Sequence, residues 1–216
     1  GGGGGGGGSH LPAGPRAAAS PTQLLRRELP LGGILKEGFV LSEGPSDLSV
    51  EGPENKTKFS ELFTPGKDTL VVYSFMLAPG ANPCPACTSL IDGLDDMTPH
   101  IRDRMNFTIF TKAPISEFRA GGQSRGWRNV RLLSTAQTTF NTDYKAETDD
   151  NAQTPVINVF RKTDGGIFRS WASEMVFAPW PEDMHPRHAD SIWPLWNVFD
   201  LTPDGRGDWF PRTTYD

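Results

Sequence analysis

From Thr69 to Met76 the chain runs as continuous apolar, β-branched and aromatic residues, the pattern of a strand buried on both faces. Leu90, Ile91 and Leu94 then recur at helical spacing, which predicts a helix over 85–96. Pro85 stands near its first turn, where a missing N–H costs nothing. A short helix is predicted over 99–105 and a second core strand at Phe107–Thr111. Pro114 opens a further helix that carries Ile115 and Phe118 and is expected to stop at Gly121-Gly122. Strand, helix, strand, helix in that order argues for a three-layer α/β sandwich.

The flanking segments are less regular. A short helix is predicted over 23–28, ended by Pro30 and Gly32-Gly33, and Phe39–Leu41 reads as a brief strand before a Gly/Pro/Ser-rich loop through Pro53. Phe59–Phe63 reads as one helical turn, and Val130–Leu133 and Phe140–Tyr144 as irregular or briefly extended. Pro155–Phe160, the turn Thr163-Asp164-Gly165-Gly166 and Ile167–Trp171 predict an antiparallel hairpin, which makes the sheet mixed. The C-terminal part is rich in Trp, Pro and His, with a helix expected over 190–198. These patterns divide the chain into a tag or disordered tail (1–20), an N-terminal arm (21–58) and one domain (59–216) ending in a Trp/Pro-rich extension. The eight glycines that open the tail build no packed element.

A chain of 216 residues suffices for one sizeable core. Its net charge of -5 is spread without a basic stripe, which argues against a nucleic-acid partner. No apolar run approaches the roughly eighteen residues of a membrane span, and no signal-peptide pattern opens the chain, so a reducing, cytoplasmic setting is expected.

The chemistry concentrates at Cys84-Pro85-Ala86-Cys87, which holds the only two cysteines, between the first core strand and the helix that follows. A bond between them would close a loop too short to restrain the unfolded chain much, so the pair reads as chemistry rather than scaffolding. A sulfur at a helix start faces unpaired N–H groups and the positive end of the helix dipole, which stabilise a thiolate. Cys84 is therefore the expected attacking sulfur, with a pKa of about 7 or below, and Cys87 the expected resolving one. The competing reading is half of a metal site. His185 and His188 supply two imidazoles that, with Cys84 and Cys87, make a zinc- or copper-type donor set, although their separation far exceeds that of small zinc modules. The first reading needs no cofactor beyond the redox-active disulfide.

Several other residues carry two readings each. Trp127 reads as core and as a candidate substrate contact, while Trp193 and Trp196, three apart, read as core packing. Arg125, Arg128 and Arg131 form a basic cluster that fits either anion steering or a solvated loop. Thr154-Pro155 stands immediately before a core strand that follows the cysteine helix.

Leu62-Phe63, the Thr69–Met76 strand, Cys84-Pro85-Ala86-Cys87, Pro99-His100, Thr111-Lys112-Ala113-Pro114, Arg125-Gly126-Trp127, Phe140-Asn141-x-Asp143-Tyr144 and Asp200-Leu201-Thr202-Pro203-Asp204-Gly205-Arg206 occur in that order. The ordered set resembles the bacterial thioredoxin-like proteins of unknown function described as predicted dithiol-disulfide oxidoreductases. The resemblance implies a thioredoxin-like fold with the cysteine pair as redox centre and assigns no substrate. It departs between Trp171 and Phe199, where a Pro/Trp/His-rich stretch with His185 and His188 replaces a short aromatic, tyrosine-containing segment. In thioredoxin-like folds a proline at the place of Pro155 is cis and lies against the dithiol, leaving the backbone at Thr154 to pair with substrate. The alternative is an ordinary trans proline at a strand start.

The expected partners are a thiol or disulfide substrate and a reducing partner, with a homodimer as an open assembly state. A thiol peroxidase is the runner-up activity, although the peroxidatic pattern Pro-x-x-x-Thr-x-x-Cys is absent.

Overall fold

The computed structural model describes residues 21–35, 38–174, 192–205 and 207–215. They fall into two units, 1–30 and 31–216. The described part of the first, residues 21–30, is helix α1 (Pro21–Glu28) and the two residues after it. The second is built on a seven-stranded mixed sheet of order β2-β1-β5-β4-β3-β6-β7. The strands are β1 (Val40–Glu43), β2 (Asn55–Lys58), β3 (Thr69–Ser74), β4 (Asn106–Thr111), β5 (Leu132–Ser134), β6 (Val156–Thr163) and β7 (Gly166–Glu174). Strands β3, β4 and β5 run parallel, whereas β1, β2, β6 and β7 join by antiparallel pairings. The stretch 21–58 thus supplies two strands of the sheet as well as α1.

Alternation along β3 and β4 divides the core. Tyr73 of β3 and Ile109 of β4 face α2 (Pro85–Asp95), α4 (Ile115–Arg125) and α6 (Pro194–Asp200), meeting Leu90, Ile91, Phe118, Trp193 and Trp196. Leu70, Val72 and Phe110 point the other way, onto Phe59 and Leu62 of a 3-10 turn (Phe59–Leu62) and Phe140 of α5 (Phe140–Asp143). Helices, sheet and this second cover make the three-layer sandwich that the alternation of elements predicts. Helix α3 (Thr98–Arg104) links α2 to β4.

Three local expectations are corrected. Helix α4 does not stop at Gly121-Gly122; it runs to Arg125 and ends at Gly126, whose φ of 77° provides a left-handed cap. Gly122 is there for close packing, since a Cβ on it would lie 2.9 Å from Leu48 Cδ1 and 3.0 Å from Trp127 Cε3. The segment around Phe140 is a helical turn rather than extended, its ring buried among those of Phe39, Phe59, Phe110, Tyr144 and Phe160. The last helix begins at Pro194, later than position 190.

Candidate active site

Strand β3 delivers the chain to the site, and a short loop turns it into α2. Ala113 N–H and the Thr111 hydroxyl both donate to Leu77 O, each at 2.9 Å, and Gly80 N–H donates to Glu117 Oε2 at 2.9 Å, which fixes the loop to β4 and α4. Cys84 is the N-cap of α2, in extended conformation (φ -62°, ψ 123°), with Pro85 in the first turn. Its carbonyl accepts from the N–H and the hydroxyl of Thr88, each at 2.9 Å, so the first turn is closed on the backbone. Its sulfur takes the place of a capping oxygen, accepting the Cys87 N–H at 3.5 Å.

The two thiols, not joined in a disulfide, have opposite environments. Cys84 is half-buried, and its pKa falls from 9.0 to about 6. The side-chain hydrogen bond from Cys87 is the largest cause; burial opposes it, and the backbone N–H groups of Cys87 and Ala86 reinforce it. Cys87 is fully buried. Burial first, and then the Cys84 sulfur, push its thiol well above the ordinary value, while hydrogen bonds from the Tyr73 hydroxyl and the Met76 backbone act the other way. At neutral pH the pair therefore holds one half-buried thiolate and one fully buried thiol.

Cys84 opens onto a cavity of about 850 Å³. Phe75, Leu77, Phe118 and Trp127 supply apolar wall, while Glu117 and Arg125 are its charged members. Trp127 is held in place by its indole N–H, which donates to Asp92 Oδ1 at 2.8 Å. Arg125 Nε donates to the same oxygen at 3.2 Å, a second guanidinium nitrogen pairs with Asp92 Oδ2, and a third donates to Thr213 O at 2.5 Å. This last bond ties the C-terminal segment to the rim, where Thr213 and Thr214 complete the lining.

The structure therefore puts Cys84 and Trp127 in one cavity lining and Cys87 in the buried cluster that Cys84 and Trp127 also join, but it does not bring Thr154 or Pro155 into the lining. Pairing of Val156 with Ser74 does set Pro155 at the end of β6 next to the end of β3 that leads to the cysteines. Among the described residues no peptide bond is cis, so Thr154-Pro155 is trans. The Thr154 N–H is already used, donating to Ala146 O at 2.9 Å, and its hydroxyl donates to Lys145 O at 2.7 Å. The three arginines do not act as one cluster: Arg125 pairs with Asp92, Arg128 with Asp96 and Arg131 with Glu43. His185 and His188, and with them the four-ligand metal set, lie outside the described residues. Among the described residues no group of three His, Cys, Asp or Glu side chains gathers as a metal site, and no helix is long and apolar enough to cross a membrane.

Tyr73, Asp92 and Glu117 were not singled out by the sequence pattern. A signal for Tyr73 was present: residues two apart on a strand share a face, so Tyr73 goes with Phe75, toward α2.

The site sits on a sequence that matches the bacterial family of unknown function DUF899 over residues 22–215. The chain belongs to this family. The expected bacterial thioredoxin-like family is thereby met, and solved structures show the fold. A reduced 2-Cys peroxiredoxin from Plasmodium vivax is similar at a TM-score of 0.52 and 15% identity, over 79% of this chain and 96% of that one. A putative thioredoxin reductase from Burkholderia cenocepacia is similar at 0.51 and 16%, over 77% and 96%. The peroxidoxin BcpB from Mycobacterium tuberculosis is similar at 0.50 and 17%, over 70% and 89%. No curated protein matches the chain. This DUF899 member thus has a thioredoxin-like fold with its two cysteines at the start of the first helix after a central strand.

Proposed function

We propose that this DUF899 protein is a dithiol-disulfide oxidoreductase. The observation that carries the reading is the asymmetry of the pair: a Cys84 thiol with a pKa of about 6 facing a cavity, against a buried Cys87 thiol held well above the ordinary range. The Cys84 thiolate attacks one sulfur of a disulfide R–S–S–R, forming Cys84–S–S–R and releasing R–S⁻, which takes a proton. Cys87 then displaces the second R–S⁻ from Cys84, giving the internal disulfide, and a reducing dithiol partner returns it to two thiols. Thiolate attack is favoured because the reduced form is the one that the cap and the Cys87 donor stabilise. The same stabilisation makes the internal disulfide oxidising.

A second reading, a thiol peroxidase, draws support from the peroxiredoxin and peroxidoxin among the solved structures of this fold. There Cys84–S⁻, a proton and R–O–O–H give Cys84–S–OH and R–OH, and Cys87–S–H condenses with the sulfenic acid to yield the disulfide and water. Leu77 and Ala81 stand where the peroxidatic pattern has its proline and threonine, so we rank this reading second.

Cys84→Ser and Cys87→Ser test the proposal. The first abolishes reduction of a dithiol-coupled disulfide substrate, and the second traps a mixed disulfide on Cys84. Wild-type rates in the Cys84→Ser protein overturn the reading. Faster turnover with a hydroperoxide than with any disulfide replaces it by the peroxidase.

A further inference from the structure

The two-sulfur mechanism leaves one buried polar group at the site without a task. Tyr73 is fully buried on β3, within the apolar layer that also holds Ala86, Cys87, Leu90 and Ile91 of α2. Its hydroxyl is hydrogen-bonded to the Cys87 sulfur. Burial, followed by the two cysteine sulfurs, pushes the phenol well above its ordinary range, so it keeps its proton and acts as a donor rather than a base.

The resolving step has a particular need for such a donor. In the resting dithiol the Cys87 thiol is itself a donor to the Cys84 thiolate. Once Cys84 is bonded to a substrate sulfur it no longer carries the charge, and Cys87 has to become the nucleophile inside an apolar layer. A thiolate there is costly unless hydrogen bonds meet it. Tyr73 is already in place to supply one, with no reorganisation at the moment of attack.

We propose that Tyr73 is a catalytic residue of the resolving step, donating its O–H to the charge that develops on Cys87. The inference rests on the dithiol reading. In the step, Cys87–S–H and Cys84–S–S–R give Cys84–S–S–Cys87 and R–S–H. The bond from Cys84 to the R sulfur breaks, its electron pair leaves with R–S⁻, and the Cys87 proton ends on that leaving group. Tyr73 keeps its own proton throughout and changes only the strength of its hydrogen bond.

The reduced full chain, reacted with an aromatic disulfide such as 5,5′-dithiobis(2-nitrobenzoate), provides the test, because these are the only two cysteines in the sequence. The first release of coloured thiolate reports attack by Cys84 and the second reports closure by Cys87. In Tyr73→Phe the first phase is expected within about twofold of wild type and the second slower by at least about tenfold, the size of one lost hydrogen bond to a charged group. Cys87→Ser shows no second phase. Where Tyr73→Phe does not fold, trifluorotyrosine at position 73, a stronger donor of the same shape, is expected to accelerate the second phase.

Closure at the wild-type rate in Tyr73→Phe, or an unchanged rate with trifluorotyrosine, overturns the inference and leaves the dithiol reading standing. A wild-type mixed disulfide that never closes overturns both.

Discussion

The two sides of the sheet are made by the same strands and do different work. On the side of α5 the core is largely aromatic: Phe39, Phe59, Phe63, Phe110, Phe140 and Phe160 pack edge-on, tilted or stacked, with ring centroids 4.9 Å apart for Phe59–Phe160 and for Phe110–Phe140. No cysteine lies there. On the side of α2 the packing is interrupted by chemistry: a buried hydroxyl, two sulfurs and a buried carboxylate, Asp95, share the layer with Phe118, Trp127 and Trp193. The comparison teaches that one face anchors the strands while the other, held against it, is free to carry polar groups at a helix end.

Breaking the aromatic side is expected to have the largest effect on stability and none on the chemistry. Phe59→Ala removes a ring that contacts five others and is expected to cost about 3–5 kcal/mol by denaturant unfolding. The rate of Cys84 alkylation in the folded protein stays at the wild-type value. A changed rate would mean that the two faces are coupled.

A smaller loss is expected on the cysteine side from Asp95→Ala. Asp95 accepts from the N–H groups of Arg128, Asn129 and Val130 at 2.9–3.0 Å and so holds the loop that follows Trp127. Leaving those donors unpaired is expected to cost about 1–3 kcal/mol. Because Trp127 is a wall of the cavity, the tryptophan emission and the KM for a disulfide substrate should shift too, in contrast to Phe59→Ala.

The smallest effect is a pH dependence confined to one face. Cys84 has a folded-state pKa of about 6 against an ordinary 9.0. It therefore adds stability that is fully present above pH 9 and is lost as pH falls through 6. Cys87, with its pKa raised, acts in the opposite direction: its contribution is intact below the ordinary thiol value and declines above it. The stability of the reduced protein relative to Cys84→Ala should therefore grow from pH 6 to 8, while that relative to Phe59→Ala stays level. A flat Cys84→Ala difference over that window contradicts the assignment.

Much of the cysteine side was legible in the sequence, because its signals are local. An apolar β-branched run, a Cys-x-x-Cys pair, a proline in the first turn and Leu90, Ile91 and Leu94 at helical spacing follow each other within thirty residues and specify strand, cap and helix. What was missed depended on partners distant in sequence. Asn55-Lys56-Thr57-Lys58 has no apolar alternation, yet β2 pairs with β1 at the sheet edge, where exposed positions tolerate polar residues. Gly121-Gly122 reads as a helix stop until Leu48 and Trp127 are seen to need the space. For Thr154-Pro155 the sequence leaves cis and trans both open; the bond is trans, and the Thr154 N–H donates to Ala146 O. Tyr73 was legible only in part: period two puts it on one face with Phe75, but a strand buried on both faces shows no polar alternation to say which face meets the sulfurs.

The central claim is that Cys84 is a stabilised thiolate and Cys87 a buried thiol. The most direct measurement is the alkylation of each cysteine by iodoacetamide from pH 4 to 10, followed by peptide mass analysis. The account predicts that Cys84 labels with a midpoint near pH 6 while Cys87 in the folded protein stays unlabelled at pH 8. In Cys87→Ala, which removes the side-chain donor, the Cys84 midpoint rises. A Cys84 midpoint near 9, or equal labelling of the two cysteines at neutral pH, would contradict it.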